Sequence, residues 1–147
     1  MTGALLVDDH LLLRVLLDDE PPTLRPTGAV IATTGLWYHR LCRALAGQAV
    51  VGAMSRRLGD IDREAAADVI AAVIDLPGTI ELLSLRTLGW PMGELVNSRT
   101  RLNLLSLEAL AAARHLRAEI CLAEANDNPP LRSAATDLGV QVRTLLG

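Results

Sequence analysis

Residues 106–146 read SLEALAAARHLRAEICLAEANDNPPLRSAATDLGVQVRTLL, and their pattern changes three times. SLEALAAARHL has the composition and apolar spacing of a buried helix, and AEICLAE is a short apolar run of strand length. The cluster Asn126-Asp127-Asn128-Pro129-Pro130 is turn chemistry that opens a second helix, PPLRSAATDLG, because proline suits the first helical position. VQVRTLL then reads as a last strand. Helices alternating with strands imply a mainly parallel sheet with helices on its faces.

The same alternation extends to the other end of the chain. GALLV, residues 3–7, is a continuous apolar run of the kind that a strand covered on both faces shows. It stops at two adjacent acids, Asp8 and Asp9, and LLVDDHLLLRVLLDDE then continues as a helix. On a 100° wheel His10, Arg14 and Asp18 share one narrow stripe and leucines and valines fill the rest, so this helix needs cover on several sides, from the sheet, neighbouring helices or a second subunit. Asp18, Asp19 and Glu20 read as a solvated end, and Pro21, Pro22 and Pro26 make a loop.

With Thr33 or Thr34 as cap, GLWYHRLCRALAG forms a second helix closed by Gly47, and residues 48–59 hold a short helix at most. DIDREAAADVIAAVIDLPG is a clear helix, capped by Asp60, with Asp62 and Glu64 in its first turn and Pro77-Gly78 as its stop. TIELLSL, residues 79–85, reads as a strand, and a short helix is expected between Gly89 and Arg101. The expectation is a single α/β domain over residues 1–147, with three layers and a small, mostly parallel sheet of four or five strands. A length of 147 residues fits one core of about 100 to 200 residues.

Half the residues are apolar, the net charge is -3 and the pI is about 5.5, which argues against an overall basic nucleic-acid binder. All fourteen basic residues are arginine. Cys42 and Cys121 stand apart, with no CxxC and no histidine cluster, so they read as two reduced buried thiols. The start MTGALLVDDH lacks a signal peptide's basic region, and no run reaches the roughly 18 apolar residues of a membrane span. A cytoplasmic protein with no membrane contact is expected. No Gly-rich loop follows any expected strand, which argues against a nucleotide-binding domain.

Ligands of parallel α/β sheets bind beyond the carboxyl ends of the strands, where strand order reverses. Asp8 and Asp9 close the first strand, and Glu124 and Asp127 follow another. Carboxylates gathered there repel one another unless a cation joins them, and oxygen ligands without Cys or His suit Mg²⁺ or Mn²⁺. Such an ion supports metal-assisted phosphodiester hydrolysis. Beside these roles stand simpler ones: helix capping for Asp8 and Asp9, a turn role for Asp127 and a solvated strand end for Glu124. His10 and His39 are candidate acid-base groups, Trp37 and Tyr38 candidate stacking residues, and Arg40, Arg43, Arg56 and Arg57 candidate phosphate contacts. Structural histidines, packed aromatics and solvated arginines are the simpler alternatives.

In LLVDDHLLL and in residues 109–146 the chain resembles the PIN-domain nucleases, the family of the RNase toxins of bacterial toxin-antitoxin pairs. Those begin with a strand ending in a VDTS- or VDTN-like motif. They close with an Ala-rich helix, a strand, an acidic turn, a helix and a Gly-Val strand. The resemblance implies a Mg²⁺- or Mn²⁺-dependent ribonuclease with Asp8 as first metal ligand. The family's second acid, a Glu, has no counterpart in GLWYHRLCRAL, where Tyr38 or His39 stands. Its third falls on Ser106 or Glu108, and its fourth on Glu124 or Asp127. Asp8, Glu108 and Asp127 are thus the implied catalytic set, with Asp8, Glu124 and Asp127 at the metal and Arg40, Arg43 and His10 against RNA. The alternative is a member that no longer cuts and binds a partner. An antitoxin-like protein or a second copy of the chain is the implied partner, the apolar first helix being suited to a homodimer.

Overall fold

The structure, a computed structural model, describes residues 3–25, 28–46, 63–98 and 102–145. The expected cap at Gly47, the stretch 48–59, the Arg56-Arg57 pair, the cap Asp60 and the first-turn Asp62 lie outside the described residues, as does the Glu64 side chain.

Five strands, β1 (Ala4–Val7), β2 (Val30–Thr34), β3 (Ile80–Leu83), β4 (Glu119–Ala123) and β5 (Val142–Leu145), form one sheet in the order β3-β2-β1-β4-β5. Every neighbouring pair is parallel, with Leu5 beside both Ile31 and Glu119. Among the described residues six helices flank it: α1 (Asp9–Leu16), α2 (Gly35–Ala46), α3 (Arg63–Ile74), α4 (Leu85–Ser98), α5 (Leu104–Leu116) and α6 (Pro129–Asp137). The chain is therefore an α/β fold with an all-parallel sheet.

Successive strand residues point to opposite faces, and the core divides accordingly. Leu6, Ala32, Ile120 and Leu122 pack beneath α4, α5 and α6 with Leu88, Met92, Leu110 and Ala135. Leu5, Val7, Ile31 and Cys121 pack on the other face with Leu11 and Leu12 of α1 and Val69 and Val73 of α3. Helix α2 serves both faces, Trp37 entering the first cluster and Leu41 the second. Three layers result.

Leu11, Leu12 and Leu13 are buried, and Val15, Leu16 and Leu17 pack against the same cluster. Cover for α1 comes from α2, α3 and β4, with Val15, Leu16 and Leu17 half-buried. Two elements differ from the sequence reading. Residues 30–34 form β2, not the end of a loop, and Thr34 does both jobs: it ends the strand and its Oγ1 accepts from Trp37 N at 3.2 Å. The helix expected after Gly89 starts at Leu85 and runs through Pro91.

Candidate functional site

The order of the sheet reverses at β1, whose successor β2 lies on one side and β4 on the other. Asp8 stands at that point. Its backbone N–H donates to Cys121 O at 3.2 Å, extending the β1–β4 pairing by one step. Its carboxylate faces three donors: Oδ1 accepts from Leu11 N at 2.9 Å, capping α1, and Oδ2 accepts from Ala123 N and Asn126 Nδ2, both at 2.8 Å. Asp8 thus caps a helix and ties β1 to the turn after β4 at once, and none of its surface is exposed. Burial pushes its carboxyl above the ordinary value of 3.8, against the three hydrogen bonds, which favour the anion.

Asp9, the first residue of α1, is also buried. Arg40 of α2 meets it side-on, Nε to Oδ2 at 2.8 Å and Nη2 to Oδ1 at 2.7 Å, a planar fork matched to a carboxylate. Asp9 in turn holds the guanidinium protonated beyond arginine's usual range. Asn126 Nδ2 also lies 3.2 Å from Asp9 Oδ1, so one amide bridges the two acids. The register that makes this possible is helical: Arg40 lies one turn beyond Trp37, which is anchored in the core.

Glu108 and Ser106, on the first two turns of α5, are both buried and serve different neighbours. Glu108 Oε1 accepts from Leu36 N at 2.8 Å, at the start of α2. Ser106 Oγ accepts from Asn128 Nδ2 at 3.0 Å, while Asn128 Oδ1 caps α6 through Leu131 N. Beside these groups lies a polar pocket of about 120 Å³, lined by Trp37, Arg40, Asn103, Ser106, Asn126 and Asn128 among others. That is small against the few hundred Å³ of a usual ligand cleft.

The remaining candidates stand elsewhere. Glu124 and Asp127 are exposed. Asp127 pairs with Arg132 at 2.6 Å, which draws its carboxyl below 3.8. The residue the turn presents to Asp8 is Asn126, midway between the two acids that sequence counting singled out. His39 and Arg43 are exposed and His10 is half-buried. Trp37 is a core residue, and Tyr38 donates its hydroxyl to Val73 O at 2.6 Å, so both aromatics pack α2 and neither presents a stacking face. Among the described residues no three His, Cys, Asp or Glu side chains are grouped so as to hold a metal ion. Asp8 and Asp9 accept from N–H donors through both oxygens, and Glu108 through one.

Sequence reasoning missed Asn126 as a site residue and did not foresee the pairing of Arg40 with Asp9. The available signal for the second was the adjacent acid pair itself: two buried carboxylates require a cation, and α2 carries arginines where an acid was sought. The fold and crevice define an α/β domain with a five-stranded parallel sheet and a self-paired acidic site. No family model and no curated protein matches the chain.

Proposed function

We propose that this chain is a PIN-like domain whose crevice is closed by its own side chains, and that it acts by binding a macromolecular partner instead of cutting RNA. The order of elements implied by the resemblance is the one the chain adopts, from β1 and its acidic end to the Ala-rich α5, β4, the Asn/Asp turn, α6 and β5. The observation that carries the reading is the Arg40–Asp9 fork with Asn126 joining Asp9 to Asp8. A guanidinium on the helix that would supply the second acid pairs with Asp9, and the Asn126 amide donates to Asp8 and Asp9, so one cation and hydrogen bonds engage both acids. Unlike a divalent metal, a guanidinium offers no open coordination position and does not bring a bound water near neutral pKa. Large apolar side chains left in solvent, Ile74, Leu85, Trp90 and Leu104, suit a partner-binding role.

The test is isothermal titration with Mn²⁺ alongside an RNA-cleavage assay with single-stranded and structured RNA, each with and without EDTA. No saturable Mn²⁺ uptake and no EDTA-sensitive cleavage are expected. Cleavage that disappears in Asp8→Asn would overturn the proposal.

The rival reading is a toxin-type endoribonuclease using Mg²⁺ or Mn²⁺ with Asp8, Glu108, Glu124 and Asp127. One observation favours it: Asp8, Asp9 and Glu108 are all buried near the carboxyl end of the sheet, a placement that folding alone rarely selects for acids.

A further inference from the structure

At the other end of the sheet, where β4 and β5 begin, the chain leaves a hollow of about 400 Å³, the size of a small-molecule site. Ala113, Ala118, Leu138 and Val140 supply apolar wall, and Arg114 and Arg117 stand at it with exposed side chains. We propose that this hollow binds a small organic oxoanion, a carboxylate or phosphate carried on an apolar group.

Three observations carry the assignment. Neither Arg114 nor Arg117 makes a side-chain hydrogen bond or ion pair with the protein, as is also true of the exposed Arg43 and Arg86, but these two stand together at one hollow. The acid among the described lining residues, Glu119, is already taken: its Oε1 accepts from Arg143 Nε at 2.8 Å, so it does not neutralise the two free guanidiniums. And Arg117 holds a left-handed backbone, φ 53° and ψ 44°, at the end of α5. Across the same hollow α6 is followed by Gly139 at φ 74°, the residue that adopts this conformation without steric cost. Arg117 takes this position where glycine would cost less, as Asp18 does after α1, and here the conformation sets the side chain at the hollow.

Two helices also end here, and their carbonyl ends favour nearby cations. Arg114 and Arg117 offset that negative end through space, without hydrogen-bonding the terminal carbonyls, so their N–H donors remain open to a ligand. Free planar donors above an apolar floor are the arrangement that recognises an oxoanion with a hydrophobic body.

Amide NMR of the full chain titrated with phenyl phosphate, benzoate and inorganic phosphate tests the site. Saturable shifts at Ala118 and at Gly139–Gln141 are expected with the organic anions at ~1 mM, with inorganic phosphate weaker because it leaves the apolar wall uncovered. Whichever organic anion binds more tightly identifies the charged group. Arg114→Gln and Arg117→Gly should each weaken binding about tenfold or more. The second substitution also relieves the left-handed strain, and the first lies on an exposed helix face, so the variants keep the fold. No saturable shift, shifts unchanged in both variants, or equal binding of inorganic phosphate would overturn the proposal.

Discussion

Arg40 lies edge-on to Asp9, joined to it by paired hydrogen bonds of 2.8 and 2.7 Å, and so links α2 to the first residue of α1. The acid is nearly enclosed, its side chain 12% exposed, while the guanidinium keeps 34% of its surface in water. Removing the cation leaves a carboxylate without its partner in a place water scarcely reaches. Arg40→Ala is expected to destabilise the chain by about 1–3 kcal/mol, below the range for fully buried pairs because of that exposure. Urea unfolding measures it. In the double variant with Asp9→Asn much of the loss should return, and simple additivity would show that the fork contributes nothing of its own.

Asn126→Asp asks what holds the two acids together. The amide donates to both Asp8 and Asp9, and a carboxylate in its place donates to neither and adds like charge. Without divalent ions the variant should lose about 2 kcal/mol or more. Melting in Mn²⁺ and in EDTA should then separate, Mn²⁺ raising the midpoint of the variant and leaving the parent chain unchanged. Identical response of the two proteins would mean that Asn126 does not govern ion access.

The pH dependence has opposite signs at two aspartates. Asp8 is raised above 3.8 by burial, so the native chain holds its proton more tightly than the unfolded one. Its contribution to stability is complete below 3.8 and is lost as pH rises through the native value. Asp127 is lowered by Arg132, and its contribution is present above 3.8 and lost as pH falls through the native value. Carboxyl ¹³C titration should place Asp8 above 3.8 and Asp127 below it. A native Asp8 midpoint under 3.8 would show that its three donors outweigh its burial.

Cys121 has no exposed surface, and burial pushes its thiol up to about 12. At pH 8 that leaves about one thiolate in ten thousand, and the sulfur is shielded besides. Cys42 is half-buried. A thiol reagent such as DTNB should therefore modify Cys42 alone in the native chain, and Cys42→Ser should react only at the rate of unfolding. Fast labelling of that variant would contradict the packing around β4.

Arg143 joins the last strand to the loop after α1, donating to Glu119 and to the carbonyls of Thr23 and Leu24. Arg143→Met keeps most of the side-chain bulk and removes those donors. A loss of about 1–3 kcal/mol is expected, with faster proteolysis near Thr23. Unchanged proteolysis would show that the loop is held by Leu24 packing alone.

How much of this was legible in the sequence depended on how local the cause was. The segment from α5 to β5 was readable because its alanines, its Asn-Pro turn and its strand-length apolar runs act over a few residues. Strand β2 was not: Thr33 and Thr34 look like caps, and only pairing with β1 and β3 shows that they also end a strand. Helix α4 contains Gly89, Pro91 and Gly93, each unfavourable in a helix, yet buried Leu88, Met92 and Leu95 hold it against the sheet and α5. At the site Asp8 was legible from its place at a strand end. Its partner Asn126 was not, since counting from either flank reaches Glu124 or Asp127. The Arg40–Asp9 fork spans 31 positions and exists only because α1 and α2 pack side by side.

The middle strand of the sheet, β1, comes before both of its neighbours in sequence, and the two lie at very different sequence distances from it. Leu5 pairs with Ile31, close to it in sequence, and with Glu119, far from it. Until the distant flank is filled, β1 has one unpaired backbone edge, the kind that captures an extended peptide. Pairing of β1 with β4 is therefore the closure with the larger chain-entropy cost, and the step at which a half-built sheet is open to a competing strand.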